Sequence, residues 1–239
     1  MLRIENLFLS IDGKTLLEDI NLEILEGDFL AIIGPNGGGK STLIRCILGF
    51  LKPQRGNIYL WGQSLEAFKR WDQIGYVPQR AGQDLNQFHP LSVEEFINLP
   101  FRWYKLKKDE NYLNFLCDKF GIKELLNKKL YQLSFGQLQR AYLVRALSHN
   151  PKLLILDEPS VGLDFVTQEI FYQILSEFHR RKLTIILITH ETWLITKEVN
   201  KVACLNQKLY FHGDHEEFCS FQEKELYGFR FHKIEHKHW

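Results

Sequence analysis

One nine-residue run, GPNGGGKST from Gly34 to Thr42, restricts this 239-residue chain more than any other feature. It follows FLAII, an apolar run of strand length, and leads into KSTLIRCILGF, which has helical spacing. The run satisfies GxxxxGK[ST] at Gly34, Gly39, Lys40 and Ser41, in the strand-then-helix context that the motif needs. Its glycines let successive backbone N–H groups turn inward around a polyphosphate, and the helix N-terminus adds positive potential. Lys40 is placed to reach the β and γ phosphates, and Ser41 to hold Mg²⁺. Gly34, Pro35, Asn36, Gly37, Gly38, Gly39, Lys40, Ser41 and Thr42 are therefore candidate nucleotide-binding residues.

The rest of the chain has the pattern of an α/β protein. LRIENLFLS and DINLEIL alternate apolar and polar residues around an Asp12-Gly13 turn, as half-buried antiparallel strands do. KLLILD, LTIILIT and KVACLN are rich in leucine or β-branched residues, and FVTQEIFYQILSEFHRR between the first two is an amphipathic helix. This alternation predicts a P-loop NTPase core with a mainly parallel sheet and an N-terminal antiparallel β subdomain. Residues 1–81 and 151–220 are expected to form that nucleotide-binding core. SVEEFINL, DENYLNFLCDKF and GQLQRAYLVRALSH have helical spacing without a convincing strand, so residues 82–150 are expected to form an inserted α-helical subdomain. Residues 221–239 are a histidine-rich tail, and no internal repeat is visible.

Composition narrows the function classes. Thirty basic and twenty-nine acidic side chains leave a net charge of +1, without the concentrated positive field of a nucleic-acid-binding surface, so no nucleic-acid partner is expected. Cys46, Cys117, Cys204 and Cys219 form no CxxC pair and read as reduced thiols. MLRIENLFLS has no cleavable signal pattern, and runs such as LTIILITH are too short to span a bilayer. If the protein works at a membrane, another chain does the spanning.

LLILDEPS places Asp157 at the end of an apolar strand, where its carboxylate can hold Mg²⁺ through water. Glu158 follows, and a second carboxylate there can orient and polarise a water attacking the γ-phosphate. In QLSFGQLQRA, Ser134 stands where an N-cap belongs and Gly136 opens a backbone N–H, giving a second anion-binding helix N-terminus. Leu133-Ser134-Phe135-Gly136-Gln137 resembles the LSGGQ signature of ABC ATPases. Gln79 in GYVPQR resembles the Q-loop glutamine, SVGLD to Asp164 the D-loop, and His190 in LITHET the switch histidine.

Together these motifs cover nearly the whole chain, and the resemblance implies an ATPase that binds ATP and Mg²⁺ in a head-to-tail homodimer. Each ATP would lie between the phosphate loop of one copy and Ser134, Gly136 and Gln137 of the other, with Asp164 nearby. Ser41, Gln79 and Asp157 would surround Mg²⁺, while Glu158 and His190 would be catalytic. Two residues depart from the family pattern: Phe135 replaces the first signature glycine, and Ile11 stands where an aromatic often stacks on the base.

The helical region in this family docks a membrane permease. FRWYKLKK, from Phe101 to Lys108, reads equally as part of that contact or as an exposed loop. Two function classes follow from the resemblance. One is the ATPase of an importer, peripheral at the cytoplasmic face of the cell membrane, with integral permease subunits and an extracytoplasmic binding protein. The other is a soluble ABC ATPase, for example in iron–sulfur assembly, and within the first class an importer ATPase for a different small solute is a further alternative. EVNKVACLNQKLYFHG resembles the metal-importing branch, which favours import of a divalent ion such as zinc, manganese or iron. His212, His215, His232, His236 and His238 carry side chains that ligate such metals, but their spacing matches no structural zinc signature, so a solvated tail is the expected description.

Overall fold

The computed structural model describes residues 1–79, 90–161, 163, 165–189 and 199–220. The chain divides into two compact units, one built from Met1–Lys69 together with the chain from Tyr172 onward, the other from Arg70–Phe171. In chain order, the first unit begins with strands β1 (Leu2–Ile11), β2 (Lys14–Ile24) and β3 (Phe29–Ile33), helix α1 (Lys40–Ile47), and strands β4 (Arg55–Leu60) and β5 (Gln63–Ser64). The second carries β6 (Ile74–Val77), α2 (Val93–Ile97), α3 (Leu99–Tyr104), α4 (Glu110–Lys119), α5 (Phe135–Leu147) and β7 (Leu153–Asp157). Helix α6 (Phe165–Arg180) contains the division, and β8 (Thr184–Ile188), β9 (Lys201–Asn206), β10 (Lys208–Asp214) and α7 (His215–Ser220) complete the first unit.

The first unit holds the expected antiparallel start. Its strands run in the order β2-β1-β4-β5, and all three contacts are antiparallel. Leu2 and Ile4 are buried, then Leu7 and Leu9, so the inward face changes phase between them. Asn6 causes the slip: its φ is +48°, its N–H donates to Asn21 Oδ1 at 2.9 Å, and the β1–β2 register shifts there. The extra residue re-aims the strand without exposing its leucines.

A second set of strands in this unit runs β10-β9-β3-β8, with β3 parallel to both β8 and β9. All five residues of β3 and of β8 are buried, as the mainly apolar strands of a parallel sheet are. Only the β9–β10 hairpin is antiparallel here.

In the second unit, β6 and β7 form a parallel pair, and β7 is buried along its full length. Helix α5 lies close against β6, since a Cβ on Gly75 would meet the Ala146 carbonyl oxygen at 2.3 Å. Arg145 on α5 lies over the rings of Phe96 and Tyr142, 4.5 and 4.9 Å from their centroids. Burial among these groups pushes the Arg145 pKa down. Between 90 and 150 the described residues carry helices and turns, with a single isolated bridge from Ser92 to Lys129. No helix among the described residues is long and apolar enough to cross a membrane.

Two of the five C-terminal histidines, His212 and His215, belong to regular structure and not to a solvated tail. His212 pairs with Ala203 in the β9–β10 ladder, and His215 opens α7. Burial lowers the His212 pKa, and its Nε2 is buried with no hydrogen-bond partner among the described residues. His232, His236 and His238 lie outside the described residues. Among the described residues, no group of three or more His, Cys, Asp or Glu side chains is arranged to hold a metal ion.

Candidate functional site

The phosphate loop is built by the first unit and held from two sides. Gly34 has φ +151°, and a Cβ there would lie 1.9 Å from the Leu205 carbonyl oxygen of β9. A Cβ on Gly39, at φ +96°, would lie 2.6 Å from the carbonyl oxygen of Leu16 in β2. No residue larger than glycine fits either position without moving backbone. Gln207, in the tight turn between β9 and β10, donates its N–H to the Gly38 carbonyl at 2.8 Å and accepts from Glu18 N–H at 2.7 Å. Leu16, Leu205 and Gln207 were not legible as part of the site. Their contributions are mainly backbone, and backbone contacts leave little mark on residue type.

Lys40 is the first residue of α1 and is 5% exposed. Its Nζ donates to the carbonyls of Gly34 and Pro35, at 2.9 Å each, so the ammonium is held at the loop with little water around it. Ser41 and Thr42 follow in the first turn of α1, half-buried, while Asn36 and Gly37 are exposed at the loop's tip. Close backbone packing, a helix N-terminus and one buried cation suit a polyphosphate. Ser41 and Asp157 offer oxygen donors, the type that Mg²⁺ takes. Ile11 ends β1 at 42% exposed, and Phe8 lies under the Arg55 guanidinium, 5.7 Å from its ring centroid.

The carboxylate turn belongs to the second unit. Asp157 ends β7 at 3% exposed and Glu158 follows at 8%. Glu158 has φ +49°, a left-handed conformation that residues other than glycine seldom adopt. Such a conformation persists where its surroundings over-determine it, and it concentrates at functional sites. Gln79 Nε2 donates to Glu158 Oε2 at 2.5 Å, bringing together two residues 79 positions apart. The resemblance implies Gln79 beside Mg²⁺; in this structure its Nε2 donates to the carboxylate that follows Asp157.

Helix α5 starts as its sequence predicts. Ser134 is the N-cap, its Oγ accepting from Gln137 N–H at 3.3 Å, while Ser134 N–H donates to Gln137 Oε1 at 3.0 Å. Gln137 is thus engaged with its own helix cap in this state. Gly136 packs near Leu163, whose Cδ2 is 3.4 Å from where a Cβ would be, and Phe135 is half-buried. Asp164 and His190 lie outside the described residues.

The ABC transporter family model matches residues 17–161, which runs from β2 through the phosphate loop and the signature to the carboxylate turn. This chain belongs to the ABC transporter family. It is 34% identical to the zinc uptake system ATP-binding protein ZurA of Listeria monocytogenes over 234 residues, covering 95% of this chain and 91% of that protein. Identity with the zinc import ATP-binding protein ZnuC of Buchnera aphidicola is 33% over 213 residues, covering 89% and 83%. Among solved structures, a dimeric ATP-binding cassette in a post-hydrolysis state bound to ADP and Pi matches at TM-score 0.78 and 26% identity, covering 90% of this chain and 98% of that one. As a member of the ABC transporter family the chain binds and hydrolyses ATP.

Proposed function

We propose that this chain is the ATP-hydrolysing subunit of an importer for a divalent transition metal, zinc or manganese. The observation that carries the cargo reading is the similarity, over most of both chains, to proteins of zinc uptake systems. The ATP site proposed is the phosphate loop from Gly34 to Thr42 with Gln79, Asp157, Glu158, Asp164 and His190, completed by Ser134, Gly136 and Gln137 of a second copy.

In this reading the loop's backbone N–H groups and Lys40 hold the phosphates, Ser41 would offer the metal an oxygen ligand, Asp157 would hold it through water, and Gln79 would lie beside it. When bound with ATP, Mg²⁺ would supply positive charge against that building on the phosphates. Glu158 orients the attacking water and takes its proton, and Gln79 holds the Glu158 carboxylate through Nε2. The α5 N-terminus directs its dipole at the partner copy's phosphates. Charged hydrogen bonds made only with ATP in place, about 1.5–3 kcal/mol each, close the homodimer, and loss of the γ-phosphate opens it. The homodimer would sit at the cytoplasmic face of the membrane, driving permease subunits that receive the ion from an extracytoplasmic binding protein.

The test is ATP-dependent uptake of radiolabelled zinc and manganese into vesicles containing the chain with its native permease and binding protein, with Glu158→Gln as control. Uptake of either ion that disappears in the variant is expected. Intact ATPase activity without uptake of either would remove the metal reading and leave the ATPase assignment standing.

A further inference from the structure

Two glutamines in the first two turns of α5 have opposite environments. Gln137 closes the helix cap at the surface. Gln139 is 1% exposed, in a stretch where Leu138, Ala141 and Leu143 are also buried. Its Nε2 donates to the Pro159 carbonyl at 2.6 Å. Its Oε1 is buried with no hydrogen-bond partner among the described residues. A half-satisfied amide is an expensive way to fill a core, because methionine or leucine occupies similar space without stranding an acceptor. The bond to Pro159 is therefore what this side chain contributes.

Pro159 is the residue after Glu158, and Glu158 is the one with φ +49°. The segment beyond it is restrained from two helices. Gln168 of α6 donates to the carbonyls of Ser160 and Leu163, at 3.3 and 3.2 Å, and Leu163 lies against Gly136 of α5. The bond from Gln139 is the shortest of these and falls one peptide from Glu158.

We infer that Gln139 is a positioning residue that fixes the Glu158 turn to the signature helix, so that a displacement of the α5 N-terminus is passed to the catalytic carboxylate through the Pro159 carbonyl. The inference rests on the role given to Glu158 above. Ser134, Gly136 and Gln139 share two turns of one helix, and a helix moves as a rigid element over that length. Contact at the cap therefore cannot shift α5 without pulling on, or releasing, the Pro159 carbonyl.

The test uses the purified full chain, with steady-state ATP hydrolysis, nucleotide affinity and thermal unfolding measured on each variant. Gln139→Met keeps the volume and removes the donor. Its kcat is expected to fall about tenfold, the worth of one such hydrogen bond, while KM for ATP stays within about twofold and the melting temperature is unchanged or raised. Gln139→Glu is the second variant. A buried carboxyl has a raised pKa, so it stays neutral and can donate to the Pro159 carbonyl at low pH, and loses that ability as it ionises. Turnover of Gln139→Glu relative to the unaltered chain should be near normal in acid and fall as pH rises, whereas Gln139→Met should be slow at every pH.

Wild-type turnover in Gln139→Met would overturn the inference. So would equal pH profiles of the two variants alongside lowered melting temperatures, which is the mark of a packing role. Glu158→Gln assayed in parallel separates the two ideas: normal turnover there would remove the role of Glu158 itself, while a dead Glu158→Gln beside a normal Gln139→Met would remove only the role of Gln139.

Discussion

The phosphate loop and the carboxylate turn are built in contrasting ways. The loop's own chemistry is contiguous, nine residues from Gly34 to Thr42, with its shape imposed by backbone contacts from Leu16, Leu205 and Gln207. The turn at Glu158 is held by side chains drawn from across the chain: Gln79 on its carboxylate, Gln139 on the following carbonyl and Gln168 on the two carbonyls beyond. In the proposed reading, one site binds through a preformed backbone, and the other acts through a carboxylate whose turn is held by three amides. Substitutions in the loop should therefore change folding and nucleotide affinity, whereas substitutions around the turn should change the rate of the chemical step.

The sharpest test of that division is Glu158→Gln. Removing a general base costs roughly 10²- to 10⁴-fold in rate. Phosphate release should fall by about 10³-fold, while binding of a fluorescent ATP analogue stays within about twofold because the loop is untouched. A variant that loses binding along with rate would mean that the two regions are not separable.

Gly34→Ala probes the opposite side. The new Cβ would lie 1.9 Å from the Leu205 carbonyl oxygen, at a residue with φ +151°. Overpacking and backbone strain each cost about 1–3 kcal/mol, so a loss of about 3 kcal/mol is expected. For a chain of this size that lowers the melting temperature by roughly 6–12 °C. Gly37→Ala is the matched control: its φ is +77° but a Cβ there would meet nothing within 4 Å, so it should carry the strain without the clash and cost less. Equal losses would mean that conformation, not close approach, makes glycine necessary at Gly34.

The same contrast explains what could be read from the sequence. GPNGGGKST was legible because a phosphate loop requires consecutive residue types, and FLAII, KLLILD and LTIILIT because a strand buried on both faces is mainly apolar, with polar residues such as Asp157 and Thr184 at its ends. Ser134 was legible as an N-cap because a cap needs a short polar side chain at one position. β4, β6 and β10 were harder to see. β4 begins with Arg55, Gly56 and Asn57, all exposed, β6 has four residues, and β10 contains Gly213 and is half exposed, so none has a clear period. The β1 bulge at Asn6 was hidden for the same reason, since a one-residue slip looks like broken alternation. Gln139 could not be singled out, because a glutamine on a helix reads as solvated until the fold buries it. The pairing of Gln79 with Glu158 lay in topology, with β6 and β7 adjacent and parallel, and no local pattern records that.

That pairing gives the mildest break in the comparison. Gln79 is exposed, so Gln79→Ala should leave the melting temperature nearly unchanged, and its loss of ATP affinity, from the place beside Mg²⁺, should be smaller than its loss of rate. It removes one amide hydrogen bond to a carboxylate, of a kind worth about 1.5–3 kcal/mol when desolvated. Exposure on the Gln79 side puts the effect at the low end, about a tenfold fall in kcat. The double variant Gln79→Ala with Gln139→Met tells whether the two amides hold one carboxylate. Independent positioning would multiply the two losses, to about a hundredfold, because distant effects add in free energy. A double variant no slower than either single one would mean that the turn needs both restraints at once and that losing one already releases Glu158. Faster ATP hydrolysis in Gln79→Ala than in the unaltered chain would break the picture altogether, since it would make the Gln79 contact a brake on Glu158 and not its support.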